Sequence, residues 1–124
     1  MAGVGRRWQN PALMESKVKR TLVKSAPELW ELADDRARME AWMRGLIGTA
    51  QPVTVEVTDR EPGRILAWRS ADPDGRIAIE LAASGFGTAV RITAQHAHPS
   101  PGEAIAALEG LLDELGSPER RPFA

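Results

Sequence analysis

Residues 53–95, VTVEVTDREPGRILAWRSADPDGRIAIELAASGFGTAVRITAQ, read as four short strands joined by three tight turns. Val53, Val55 and Val57 alternate with Thr54, Glu56 and Thr58, the period of a half-buried strand. Glu61-Pro62-Gly63 turns the chain. Arg64 to Ser70 follows, with Leu66 and Trp68 in one phase. Asp72-Pro73-Asp74-Gly75 turns it again, because Pro presets φ and Gly accepts conformations that other residues resist. Ile77, Ile79 and Leu81 alternate with Ala78, Glu80 and Ala82. After Gly85-Phe86-Gly87, Thr88 to Gln95 closes the meander, with Val90, Ile92 and Ala94 inward and Arg91, Thr93 and Gln95 outward. Connections this short leave no room for a crossover, so neighbouring strands are antiparallel.

On the C-terminal side, Pro101 to Leu115 places Ile105, Leu108, Leu111, Leu112 and Leu115 on one helical face, with Glu103, Glu109, Asp113 and Glu114 away from it. Burying five aliphatic side chains is worth about 7–15 kcal/mol before conformational entropy is subtracted, and the sheet is the large apolar surface on offer. Gly116 and Pro118 stop the helix. On the N-terminal side, Lys17 to Lys24 reads as a charged strand near a sheet edge. Ser25-Ala26-Pro27-Glu28 is a helix start, with a hydroxyl N-cap, Pro in the first turn and Glu at the capping-box position. The helix over 27–33 is short. Asp34 and Asp35 offer a cap for a second one over 36–46, where Met39, Trp42, Met43 and Leu46 form an apolar stripe.

These pieces predict an α+β domain of order β-α-α-β-β-β-β-α, about five antiparallel strands with the last helix across the concave face. The domain is expected over 15–116, with a flexible arm over 1–14, where Trp8 and Leu13 are candidate pins, and a flexible tail over 117–124. A chain of 124 residues buries one core without staples. It has no cysteine, which excludes disulfides and thiolate metal sites. A net charge of -1 points to neither nucleic acid nor a membrane surface. Without a secretory signal or an apolar run long enough to span a bilayer, the expected location is cytoplasmic. Abundant Ala, Arg, Gly and Pro suit a GC-rich, bacterial genome.

The stretch SAPELWELADDRARMEAW, residues 25–42, resembles the helix-grip superfamily, also called SRPBCC or START-like. There a strand leads into Ala-Pro with a Trp close behind, an Asp-containing break and a second Trp. Ala26, Pro27, Trp30, Asp34 and Trp42 follow that pattern. The runs 53–70 and 85–93 resemble the family's central strands and its G-x-G-T-x-V-x-(I/L) strand, so the likeness covers about residues 17–115. The chain resembles a shortened member. Ten residues separate Trp42 from Val53, too few for the hairpin found there in the family, and the last helix is short at about 21 Å. Polyketide cyclase/dehydrase-like and heat-shock-chaperone-activator-like proteins belong to this superfamily. The resemblance therefore implies a hydrophobic ligand such as a lipid, quinone or polyketide-like molecule in a reduced cavity. The alternative it implies is a protein-protein interaction module.

The candidate ligand-binding residues are Trp42, Leu66, Trp68, Ile79, Val90, Ile92, His96, Leu108 and Leu112. Aromatics on a sheet suit flat apolar ligands, but the same residues also serve as the core of a small protein, where close packing leaves few voids. His96 keeps phase with Val90, Ile92 and Ala94, which makes it the one candidate for general-base chemistry in a small cyclase or dehydratase. Pro99 close behind it points to a strand end in solvent instead. His96 and His98 lack a third ligand, so no metal and no cofactor is expected. Glu56 and Glu80 alternate outward as cross-strand partners of arginine. Arg6, Arg7, Lys17, Lys19, Arg20 and Lys24 make the first quarter basic. With no recognition helix beside them they read as a solvated surface, not a nucleic-acid site.

Overall fold

The computed structural model describes residues 14–71, 74–96 and 100–117. Residues 1–13 of the expected arm over 1–14, with Trp8 and Leu13, and likewise His98 and the tail beyond Ser117, lie outside the described residues. The order is β1 (Met14–Leu22), α1 (Ala26–Ala33), α2 (Arg36–Ile47), β2 (Val55–Glu61), β3 (Ile65–Ala71), β4 (Asp74–Ser84), β5 (Gly87–His96) and α3 (Pro101–Gly116). The five strands form one antiparallel sheet in the order β1-β5-β4-β3-β2. Strand β1 starts at Met14, earlier than its sequence suggests, and ends at Leu22. No helix among the described residues is long and apolar enough to cross a membrane.

The caps form as the sequence dictates. Ser25 Oγ accepts from the Glu28 amide at 3.3 Å and Asp35 Oδ1 from the Arg38 amide at 3.1 Å. Of the two aspartates, only Asp35 is the N-cap of α2. Asp34 closes α1 and pairs with Arg60 at 3.1 Å. Helix α2 ends on Gly48, whose φ of 83° is the left-handed conformation a C-cap uses. The tight end of the β4–β5 hairpin explains the GFGT run. Gly85 has φ 59°, the Thr88 hydroxyl donates to the Lys24 carbonyl at 2.7 Å, and Gly87 passes so close to β1 that a Cβ would lie 2.0 Å from Leu22 O.

Register puts Ser16, Val18, Arg20 and Leu22 of β1 on one face with Val90, Ile92, Ala94 and His96 of β5. Across the sheet the same face carries Gly75, Ile77, Ile79 and Leu81, then Leu66, Trp68 and Ser70. All three helices cover this inner face. α3 packs against β1 and α2, and α2 against β4 and β2. The core joins the sheet residues to Leu29, Met39, Met43 and Leu46, and to Leu108, Leu111, Leu112 and Leu115 of α3. A bulge between Val57 and Asp59 breaks the alternation of β2. It brings Arg60 opposite the inward Leu66, and the guanidinium reaches Asp34 and stands 5.7 Å over the Trp30 ring.

Arg20 corrects the reading of the first quarter as a plain solvated surface. It lies on the inner face of the edge strand and pairs with Glu109 at 2.5 Å and Asp113 at 2.6 Å, two residues expected to point away from the sheet. The hydrogen bond to Asp113 leads the effects that hold its guanidinium above the ordinary range. Glu114 secures the other flank of α3, accepting from Trp42 Nε1 at 2.6 Å and pairing with Arg38 at 3.4 Å. Arg20→Gln is therefore expected to lower the melting temperature and speed amide exchange in α3. The difference from wild type should shrink between low salt and about 1 M salt, because exposed ion pairs are screened. A salt-independent difference would mean that the clamp is not electrostatic.

Candidate functional site

The inner wall is built from alternate residues of the three central strands. Leu66, Ile79, Val90, Ile92, Leu108 and Leu112 are all buried in one cluster, with Trp68 at 2% exposure among them. Trp42 lies apart. It is half-buried on the seam between α2 and α3, its indole nitrogen engaged by Glu114. The candidate residues thus form a wall of eight, counting His96, with Trp42 at the rim.

Trp68 sits in the middle of β3, opposite Ile77 and Val57. The Arg36 guanidinium lies 5.9 Å from its ring centroid and donates to Val55 O at 2.5 Å. Its own Nε1 is buried and has no hydrogen-bond partner among the described residues. Trp30 Nε1, by contrast, donates to Ile65 O at 3.4 Å. Leaving a buried N–H without an acceptor costs about 1–3 kcal/mol, so an orphan indole on an otherwise apolar wall marks a place where an acceptor is wanted.

One end of the wall is polar. His96 is fully buried and Ser16 nearly so, and Ser16 Oγ lies 2.8 Å from His96 Nε2. Ser70 is buried on the same face, two strands away, with Gly75 between it and His96. The missing side chain at Gly75 is filled from α2, since a Cβ there would meet Met43 Sδ at 2.9 Å and Ile47 at 3.2 Å. The expectation that a strand ending near Pro99 leaves His96 in solvent is corrected: the ring is fully buried, with Ser16 of β1 against it and α2 side chains filling the space at its strand neighbour Gly75. Ser16 was missed because its partner is 80 positions away and its own strand is written in charges. A hydroxyl and an imidazole at this distance can share a proton in either direction, the geometry of a donor–acceptor pair for a ligand oxygen or of an activated nucleophile.

Among the described residues no cluster of His, Asp or Glu is placed to hold a metal. Glu56 lies 3.9 Å from Arg69 and Glu80 3.7 Å from Arg91, both outside the sheet. Three depressions formed by described residues, of about 400, 260 and 600 Å³, open on the outer surface, and none is lined by a residue of α3.

No protein-family model and no curated protein matches the chain. Solved structures do. A protein from Mesorhizobium loti is similar with a TM-score of 0.65 and 17% identity, over 83% of this chain and 94% of that one. The Aha1 dimer from Colwellia psychrerythraea is similar with a TM-score of 0.59 and 16% identity, over 83% of this chain and 96% of that one. DynU16, a protein in the dynemicin biosynthetic locus, is similar with a TM-score of 0.54 and 20% identity, over 82% of this chain and 44% of that one. At these identities the likeness speaks for architecture alone, and together with the strand order it shows that the chain has the helix-grip fold.

Proposed function

We propose that the chain binds a small hydrophobic molecule bearing a carbonyl oxygen, of the lipid, quinone or polyketide kind, against the inner face beneath α2 and α3, without catalysis. The observation that carries this reading is the buried, unpartnered indole N–H of Trp68. The ligand body contacts Leu66, Ile79, Val90, Ile92, Leu108 and Leu112. Its oxygen accepts from Trp68, and a second polar group is met at the Ser16–His96 end. The likeness in fold to DynU16, a protein in the dynemicin biosynthetic locus, supports the same class.

Thermal melts with quinone, fatty-acyl and polyketide ligands test the reading. A ligand held at about 100 times its Kd adds about 2.7 kcal/mol and raises the melting temperature by several degrees. Trp68→Phe removes the N–H while keeping an aromatic ring. It is expected to weaken the ligand about tenfold, while in the unliganded protein the relief of the orphan donor offsets the void left by the smaller ring. A protein whose melting temperature ignores all three classes is not such a binder.

A protein-interaction module is the second reading. Phe86 is fully exposed and Val23 is 86% exposed, and both line the depression of about 600 Å³ at one end of the molecule. The Aha1 relative in fold was solved as a dimer. Under this reading Phe86→Asp abolishes capture of a partner, or self-association in sedimentation, without changing the melting temperature. An unchanged association would remove that surface from consideration.

A further inference from the structure

We infer that the outer face of the sheet carries a second site, for a small amphipathic anion, centred on Lys19 and Arg91. These two residues are register partners on β1 and β5, pointing away from the helices. Like charges directly opposite one another on a sheet repel, and sheets ordinarily place opposite charges there. Lys19 forms no ion pair among the described residues, while Arg91 reaches only the edge of Glu80 at 3.7 Å. Arg64, 70% exposed on the β2–β3 turn, contributes a third cation to the rim and itself pairs with Glu61 at 3.0 Å. Three cations thus meet two carboxylates, Glu80 on the rim and Glu61 beside Arg64, which leaves an excess of one positive charge, with Lys19 the cation that no carboxylate neutralises among the described residues.

Between these charges lies the depression of about 400 Å³, within the range of small-molecule sites. Its floor is apolar. Ile65 flanks it, and the cross-strand partners Ala82 and Ala89 leave room there because both side chains are single methyls. An apolar floor with a cationic rim fits an anionic head on a short hydrocarbon or aromatic body, and the charge excess selects a carboxylate, sulfonate or phosphate over a neutral molecule. The site is separate from the Trp68 wall, which faces the other side of the sheet.

Decanoate is the probe, with decanol as its uncharged counterpart and acetate as its head alone. In ¹H–¹⁵N NMR titrations, decanoate should move the amides of Ala82, Ala89 and Arg91 saturably. Decanol and acetate should do so at least tenfold more weakly. Combining Lys19→Glu with Arg91→Glu should abolish the shifts. Ala89→Leu fills the floor while leaving the charges in place and should abolish the shifts too, which keeps the test decisive even where the charge reversal unfolds the sheet. Decanol binding as well as decanoate, or no saturable shift at these amides, overturns the site. So does decanoate moving only Trp68, Ile92 and Leu112, an outcome that leaves the inner-face reading intact.

Discussion

Replacing Gly87 with alanine is expected to cost about 3 kcal/mol, a large share of the stability of a domain this size. The added Cβ would stand 2.0 Å from the carbonyl oxygen of Leu22 and 2.9 Å from its carbon. Those are backbone atoms, in a strand paired with β5 from Met14↔His96 to Leu22↔Thr88, so relief requires pulling that end of the ladder apart. Gly85, two residues earlier, supplies the control. Its φ of 59° penalises alanine by about 1–2 kcal/mol, but nothing lies within 4 Å of its Cβ position. Urea denaturation should rank Gly87→Ala well below Gly85→Ala. Equal losses would mean that β1 does not approach the hairpin as described.

Leu112→Ala is expected to cost about 2–5 kcal/mol, the transfer energy of the lost methyls plus the cavity they leave. Leu112 is completely buried on the face of α3 that meets the core, whereas Ile105, two turns nearer the N-terminus, is only partly buried. Ile105→Ala should therefore cost clearly less in the same denaturation series. Two equal and small losses would place α3 away from the sheet and remove the roof of the proposed ligand site.

The strands, helices, turns and caps could be read from residues 25–115 because each rests on local chemistry. Valine alternation, Ser25 and Asp35 as caps, and Gly85 and Gly87 in a hairpin need no distant partner. What the sequence concealed depends on pairings across the sheet. Arg20 looks like one cation among several, and only the register of β1 with β5 turns it inward toward Glu109 and Asp113. The bulge after Val57 inverts the phase of β2 without any glycine or proline to announce it. His96 offered two readings, an inward phase and a strand end near Pro99, and its burial beside Ser16 follows the phase. Eight of the nine ligand-wall candidates kept a strict alternation or a helical stripe to the buried face, counting His96, Leu108 and Leu112. Trp42 followed its stripe to the α2–α3 seam, where an indole donor finds Glu114. Trp68 was legible as an inward aromatic. Its unmatched N–H was not, since that depends on what the neighbouring strands and helices fail to offer it.

The most direct test is the indole ¹H–¹⁵N resonance of Trp68, identified among the four tryptophans by its loss in Trp68→Phe. On adding a carbonyl-bearing hydrophobic ligand that raises the melting temperature, this resonance should move downfield while those of Trp30 and Trp42 stay in place. A stabilising ligand that leaves the Trp68 resonance where it was, and moves another indole instead, would contradict the account.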